Sequence, residues 1–381
     1  MATAVDPAWD MEPTCVTAVR GRAERRKMPA YSARKTIDVA DALAKFFDTK
    51  KPGAAVSGVN RMGGGASKEQ FAFALTEGGV SERYVLRMDP LEAITETDRK
   101  REFEIMNAVQ GLIPAPKPLW MDEDGAIFGR PACIMSFVGG VTKPSDAGLK
   151  VSGLGTSLGA RLRGQLRDQF MDYLVKLHGL DWRAAALPSF AAPTADPQQP
   201  ARWSLNYWKQ LWKLDGIEPI PIISYAEQWL TDNMPDCHEL VMTHCDFRTG
   251  NYLFDEATGR ITAVLDWEMA RIGDFHEDLG WVLMQIFGSF EDGVFRASDL
   301  FEREEFIKTY EAKSGRTVNR ATLHYFDVMS SWKCYIITAA NGMSAARHQH
   351  NHQDVLLTFL AAANALFAND LCRLLSSGAD A

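Results

Sequence analysis

Residues 244–266 read HCDFRTGNYLFDEATGRITAVLD. Two apolar runs, 252–254 and 261–265, flank the polar stretch DEATGR at 255–260, which contains Gly259. Short apolar runs around such a stretch predict a β-hairpin. A hairpin sets its two open ends side by side, so Asn251, just before the first strand, and Asp266, just after the second, come together. An amide oxygen beside a carboxylate suits Mg²⁺, which keeps waters and phosphate oxygens as its other ligands. Asp246 lies five residues upstream of Asn251. On a loop at that distance it can accept or orient the proton of an attacking hydroxyl. Each of these residues is also an ordinary turn former. The whole set, in this order and between these runs, points to metal-assisted phosphoryl transfer.

Working outward, the apolar run 240–242 leads into His244. Arg248, two residues after Asp246, is either a cation near the transferring group or an ordinary surface arginine. Glu268 is placed to support the metal site from behind. Asp274 and Glu277 fit a capping box at the start of a helix over 275–287.

Toward the N-terminus, residues 36–47 have helical spacing, with Ile37, Ala40, Leu43 and Phe47 on one side. Runs 71–75 and 84–88 around Gly78-Gly79 predict an antiparallel hairpin. An amphipathic helix over 99–109 ends at the IPAP of 113–116, and β-like runs follow near 118–121 and 132–137. Helical patterns dominate from about 164 onward, broken by a Pro/Ala-rich loop at 187–200. The expectation is an α+β chain of two lobes, β-rich over 31–138 and mainly helical over 139–381. Residues 1–30, with the basic run RGRAERRK at 20–27, predict a flexible, solvated tail. The stretch RMGGGASK at 61–68 is neither a Walker A loop nor a dinucleotide fingerprint. Its Gly63, Gly64, Gly65 and Ser67 make a flexible turn, or a loop whose backbone amides approach phosphates.

HCDFRTGN, LDWE and GDFHEDLGW together resemble the aminoglycoside phosphotransferase and choline-kinase-like family, which has the protein-kinase-like fold. VLRMDP and LDWE bring the chain nearest the branch related to kinase domains associated with acyl-CoA dehydrogenases. The resemblance implies that Asp246 is the catalytic residue, that Asn251 and Asp266 hold Mg²⁺, and that His244 braces the catalytic loop. Asp278 would hold that loop by accepting backbone hydrogen bonds. A cation on the third strand, here Arg87 in place of the commoner Lys, would pair with Glu102, or with Glu104, and position the nucleotide phosphates. The backbone from Ser136 to Val138 would meet an adenine edge. ATP is the expected cofactor, with GTP open. The acceptor would be a small hydroxyl compound, because Trp267-Glu268 replaces Phe-Gly and no activation segment follows. A hydroxylated acyl compound or other metabolite fits better than an aminoglycoside, since the C-terminal helices lack a dense acidic run and offer only Glu302, Glu304 and Glu305. The rival expectation is a catalytically silent nucleotide-binding module.

Composition narrows the rest. The chain has 381 residues, 46% apolar and 24% charged, enough for two ordinary domains or one lobed unit. A formal net charge of −8 argues against a non-specific nucleic-acid binder. Six scattered cysteines without a CxxC pair argue against a zinc site or disulfide framework and favour a reducing cytosol. Asp6, Asp10 and Glu12 are out of place in a signal peptide, and no apolar run approaches the ~20 residues of a membrane span. The aromatic stripe Trp203, Tyr207, Trp208, Leu211 and Trp212 reads as core, as do Trp281, Met284 and Phe287. His348, His350 and His352 read as a polar helix surface, with His348 and His352 on one face. The oligomeric state is open.

Overall fold

In the computed structural model, which describes residues 9–63, 67–147 and 154–377, the N-terminal lobe is built around one antiparallel sheet. Helices α1 (Pro13–Arg25) and α2 (Thr36–Lys50) precede strands β1 (Ala55–Arg61), β2 (Glu69–Glu77) and β3 (Val80–Met88). Helix α3 (Arg99–Ala108) and strands β4 (Pro118–Asp122) and β5 (Ala132–Ser136) complete the lobe, in the order β1-β2-β3-β5-β4. Strand alternation decides which side chain goes where. Phe71, Phe73, Leu75, Tyr84 and Leu86 pack with Val39, Leu43, Phe46 and Phe47 of α2. On the other face Val85, Cys133 and Met135 meet Ile105 and Met106 of α3. The register from Glu69↔Met88 to Glu77↔Val80 puts Arg87 on that second face. Strand β1 has no counterpart in the sequence reading. The helix over 36–47 forms on a shifted face, with Ile37 64% exposed and Val39 and Phe46 buried.

The N-terminal tail is the clearest departure. Residues 13–25 form α1, and Arg22 within the basic run is fully buried. Its guanidinium lies 3.2 Å from Glu92, 2.7 Å from Glu96 and 2.7 Å from Asp215. Arg25 and Arg26 add further pairs to Glu96, Glu92 and Asp215. The run is internal counter-charge, and its partners lie too far along the chain for local composition to reveal them.

The C-terminal lobe starts with α4 (Gly159–His178), α5 (Gln199–Asp215) and α6 (Pro221–Asp232). A β insert follows: β6 (Leu240–Thr243), β7 (Tyr252–Asp255), β8 (Arg260–Val264) and β9 (Arg271–Asp274). β7 and β8 pair as the predicted hairpin, and β6 pairs antiparallel with β9, so the hairpin and its flanking loops hang between two bonded strands. Helix α7 (Phe275–Val282) is capped by Asp274, which accepts from His276 N, and it is shorter than the 275–287 expected. Glu277 does not reach back as a capping box requires; it takes Ser204 Oγ at 3.0 Å and lies 3.7 Å from Arg271. Helices α8 (Arg303–Ser314) and α9 (Arg320–Tyr335) come next. A π-helical stretch (Ile336–Gly342) runs into α10 (Met343–Arg347), α11 (Asp354–Leu360) and α12 (Asn364–Ser377).

The expectation about apolar runs is corrected here. Val355–Ser377 is 23 residues with a mean hydropathy of 1.6, long and apolar enough by length and composition to cross a membrane. Asn364, Asn369 and Asp370 had broken the run in the sequence. Phe367, Leu371 and Leu374 of α12 join a core cluster with Leu230, Tyr325 and Phe326, while Val355, Phe359 and Leu366 are exposed.

Candidate active site

The hairpin brings together the groups at its open ends. Leu265 N donates to Asn251 O at 2.8 Å, so the backbones leading to Asn251 and Asp266 are joined. The Asn251 amide nitrogen donates to Asp246 Oδ2 at 2.6 Å and to Asp246 O at 2.9 Å. Its amide oxygen is thereby turned away from Asp246. Arg248 Nε at 2.9 Å and Trp281 Nε1 at 2.7 Å both donate to Asp246 Oδ1. Three donors, two from its own loop and one from α7, fix this carboxylate.

The loop below is held from inside. Asp278, fully buried, accepts from His244 N at 2.8 Å and Cys245 N at 2.6 Å, and lies 3.1 Å from His178 Nε2. Burial would raise the Asp278 carboxyl, but the hydrogen bond and charge of His178 outweigh it and hold the group below the usual carboxylate range. His244 Nε2 is 2.9 Å from Leu265 O, while Nδ1 accepts from Asp246 N at 3.2 Å. That assigns the proton to Nε2 in a neutral ring. Burial lowers the His244 pKa despite the nearby Asp278 and Asp246. Cys245 carries φ 63°, a left-handed turn that aims Asp246 outward. Lys333 donates to Cys245 O at 3.2 Å.

Across the cleft, Arg87 bridges both lobes. Its guanidinium lies 2.5 Å from Glu102 and 2.8 Å from Asp266. Glu104, the other candidate partner, accepts from Ser189 N and Oγ at 2.9 and 2.7 Å instead. Burial raises the Asp266 carboxyl, but Arg87 prevails by charge and hydrogen bond and holds it low. Amide and carboxylate oxygens at Asn251 and Asp266 are hard donors that suit Mg²⁺ better than a thiolate-seeking metal. Glu268, expected behind the metal site, has its Oε2 3.5 Å from Lys68 Nζ.

Gly63 is exposed, whereas Gly64 and Gly65 lie outside the described residues. Ser67 Oγ is buried and without a hydrogen-bond partner among the described residues. At the hinge, Ser136 N donates to Lys117 O at 2.9 Å and Phe137 N to Arg83 O at 3.1 Å. The N–H groups of Ser136 and Phe137 are therefore spent within the sheet.

Residues 58–317, well over half of the chain, match the model of the phosphotransferase enzyme family. The chain belongs to this family. Among curated proteins it is 27% identical over 276 residues to "Acyl-CoA dehydrogenase family member 11" of Gallus gallus, covering 68% of this chain and 34% of that protein. It is 29% identical over 186 residues to "Acyl-CoA dehydrogenase family member 10" of Mus musculus, covering 48% and 16%. The matched part of the chain thus spans about a third or less of the length of these relatives. Among solved structures, APH(4)-Ia in ternary complex with AMP-PNP and hygromycin B matches with a TM-score of 0.57 at 16% identity, over 88% of this chain and 99% of that one. Choline kinase from Cryptosporidium parvum matches at 0.52 and 14% identity, over 89% and 97%. These likenesses establish the two-lobed protein-kinase-like α+β fold.

In this member of the phosphotransferase enzyme family a cavity opens beside the loop that carries Cys245 and Asp246, between it and α1. Its walls include Cys15 and Ala18 of α1, Trp203, Tyr207 and Trp208 of α5, and Lys333. Trp203, Tyr207, Trp208 and Leu211 of the aromatic stripe are buried as expected and Trp212 is half-buried, yet three of the rings also line this cavity. Trp281, read as plain core, holds Asp246. Its place in GDFHEDLGW was a signal, but periodicity hid its indole N–H. Arg101 was not singled out at all; it pairs with Glu12 and donates to Ala270 O at 3.0 Å.

The C-terminal histidines form an internal network instead of a helix surface. α10 ends at Arg347, and His350 lies on the following loop, 2.7 Å from Glu92 by Nδ1 and 3.0 Å from Met28 O by Nε2. Glu92, His348 and His350 lie close enough to hold a metal. However, both His350 nitrogens are engaged and Glu92 already faces Arg22 and Arg26, so a cation would have to displace two guanidiniums.

Proposed function

We propose that the protein transfers the γ-phosphoryl group of ATP to a hydroxyl of a small molecule, with Mg²⁺ as the metal. The observation that carries this reading is the continuous set from Glu102 through Arg87 to Asp266, and from Asn251 to an Asp246 fixed by three donors. The acceptor oxygen forms the new bond to the γ-phosphorus, the bond from that phosphorus to the ADP oxygen breaks, and the hydroxyl proton passes to Asp246. Arg248, already on Asp246, stands ready as a cation for the transferring group. Bound Mg²⁺, held by Asn251 and Asp266, would neutralise phosphate charge. The adenine nucleotide named for the APH(4)-Ia complex favours ATP over GTP.

The cavity beside the catalytic loop is the proposed acceptor site. Four of its five carboxylates face side-chain partners, Glu12 with Arg101, Glu96 with Arg22 and Arg25, Glu268 with Lys68, and Glu277 with Ser204 and Arg271, and the fifth, Asp98, accepts from Lys100 N at the start of α3. Lys333, 2% exposed, has no carboxylate within 4 Å among the described residues and rests 3.9 Å from the Trp281 ring. A polycation finds little free charge there, whereas an apolar hydroxyl compound finds three aromatic walls. The acyl-CoA dehydrogenase names of the relatives favour a hydroxylated acyl acceptor. Six free thiols fit a reducing, cytoplasmic setting.

The test is Mg-ATP-dependent ADP release across hydroxylated metabolites, acyl-CoAs and aminoglycosides. Asp246→Ala should abolish turnover and keep nucleotide binding; Asp266→Ala should lose the Mg²⁺-dependent part of that binding. Binding without turnover on any acceptor favours the silent module, and full activity in both variants overturns the assignment.

A further inference from the structure

Lys68 follows directly on the glycine-rich segment and is 1% exposed. It precedes β2, whose first residue, Glu69, sits opposite Met88. That puts Lys68 level with Asp89, on the same sheet face as Arg87. Its ammonium is loosely held. Asp89 Oδ1 is 3.2 Å away, Thr97 Oγ1 3.4 Å and Glu268 Oε2 3.5 Å. Asp89 is also bound by Arg99 at 2.5 Å, so Lys68 is not its only cation. Ser67 Oγ, on the residue next to Lys68 in the chain, and Arg87 Nε, on the same sheet face, are buried polar atoms with no hydrogen-bond partner among the described residues, as is Glu268 Oε2, the distant contact of Lys68. Buried polar atoms are normally satisfied, so unpartnered donors beside a loosely held ammonium are groups that a ligand can complete. Ser67 and Arg87 are donors, and Lys68 has N–H groups without a short contact, so the missing partner is an acceptor with several oxygens.

We propose that Lys68 and Ser67 are phosphate ligands of the nucleotide site, contacting the β- or γ-phosphate of a nucleoside di- or triphosphate. This rests on the ATP reading above. Arg87 is already committed to Glu102 and Asp266, and Lys68 supplies the mobile point charge that a planar guanidinium does not. Its departure frees Glu268 beside the metal segment. The bland alternative is that Lys68 only neutralises Glu268 in the interior.

Calorimetric binding of AMP, ADP and AMP-PNP to the full chain, with Mg²⁺, separates the two. Lys68→Met should weaken ADP and AMP-PNP by roughly tenfold or more, the scale of one charge-assisted hydrogen bond, and leave AMP unchanged. Lys68→Arg should recover much of the loss, and Ser67→Ala should repeat the pattern more weakly. The double variant Lys68→Met/Glu268→Gln removes the buried mismatch. Under the proposal it stays weak for AMP-PNP, whereas recovery to wild-type affinity overturns the proposal. Equal weakening of all three nucleotides, or none, also overturns it. A wild-type chain that binds none of the three sinks the nucleotide reading itself.

Discussion

Asp278→Ala tests how the catalytic loop is held. The carboxylate accepts the backbone N–H groups of His244 and Cys245 at 2.8 and 2.6 Å and faces His178 at 3.1 Å, all with no exposure. Alanine leaves two buried backbone donors unpaired, each costing about 1–3 kcal/mol, and strands His178 as well. About 4 kcal/mol is therefore lost. At roughly 2 cal/mol/K of unfolding entropy per residue, 381 residues convert that into a fall in Tm of about 5 °C. The loss of function should be larger than the loss of stability. Cys245 needs its left-handed φ of 63° to aim Asp246, and this turn relaxes once its N–H is unpaired. A displacement near 1 Å at the reacting centre costs about 10²-fold in kcat. The pH dependence has a definite sign. The folded Asp278 carboxyl sits below its ordinary range, so its stabilisation is fully present above the unfolded value near ~4 and fades as pH falls through the folded one. The Tm gap between wild type and variant should be flat from about pH 6 to 8 and narrow in acid. Thermal denaturation across pH, with ADP-release kinetics, measures both. A variant melting within about 1 °C of wild type with unchanged kcat refutes the bracing argument.

Three other perturbations follow from single contacts. Trp281→Phe removes one of the three donors on Asp246, worth about 1.5 kcal/mol, and should lower kcat about tenfold with nucleotide affinity unchanged; a change under twofold in steady-state kinetics would reduce the ring to packing. Arg22→Met strips the buried cation from Glu92, Glu96 and Asp215 and should cost about 3–5 kcal/mol, with faster proteolysis near residue 27; unchanged melting and digestion would mean that α1 is held otherwise. Gly280→Ala places a Cβ 2.8 Å from the Phe326 backbone where α7 meets α9, and chemical denaturation should show about 1–3 kcal/mol of destabilisation unless the helices part freely.

Much of the fold was legible because its signals are local. The hairpin over 252–264, the β2–β3 pair and α3 follow from periodicity and turn residues within a few positions. The site was legible for a related reason: Asp246, Asn251 and Asp266 sit within one short stretch, and the hairpin that joins them is written there too. What stayed hidden depends on distance along the chain. β6 pairs with β9 across the whole insert, and β1 is an edge strand with a mostly exposed surface and little alternation to show. The buried role of Arg22 needed Asp215, and the tether of His350 needed Met28 and Glu92. Lys68 looked like the end of a flexible loop. Its burial comes from Asp89, Thr97 and Glu268, none of which its neighbours announce.

These hidden contacts also explain why the short segment after Asp266 does not behave as a free loop. Arg87 holds Asp266, Lys68 faces Glu268, and Arg101 donates to Ala270 O. Three cations, from β3, from the start of β2 and from α3, thus take alternate residues of one segment. Arg101 also pairs with Glu12, beside α1, and both Arg101 and Glu12 line the cavity next to the catalytic loop. The Asp266 carboxylate at one end and the cavity wall at the other therefore lie along a single row of charges.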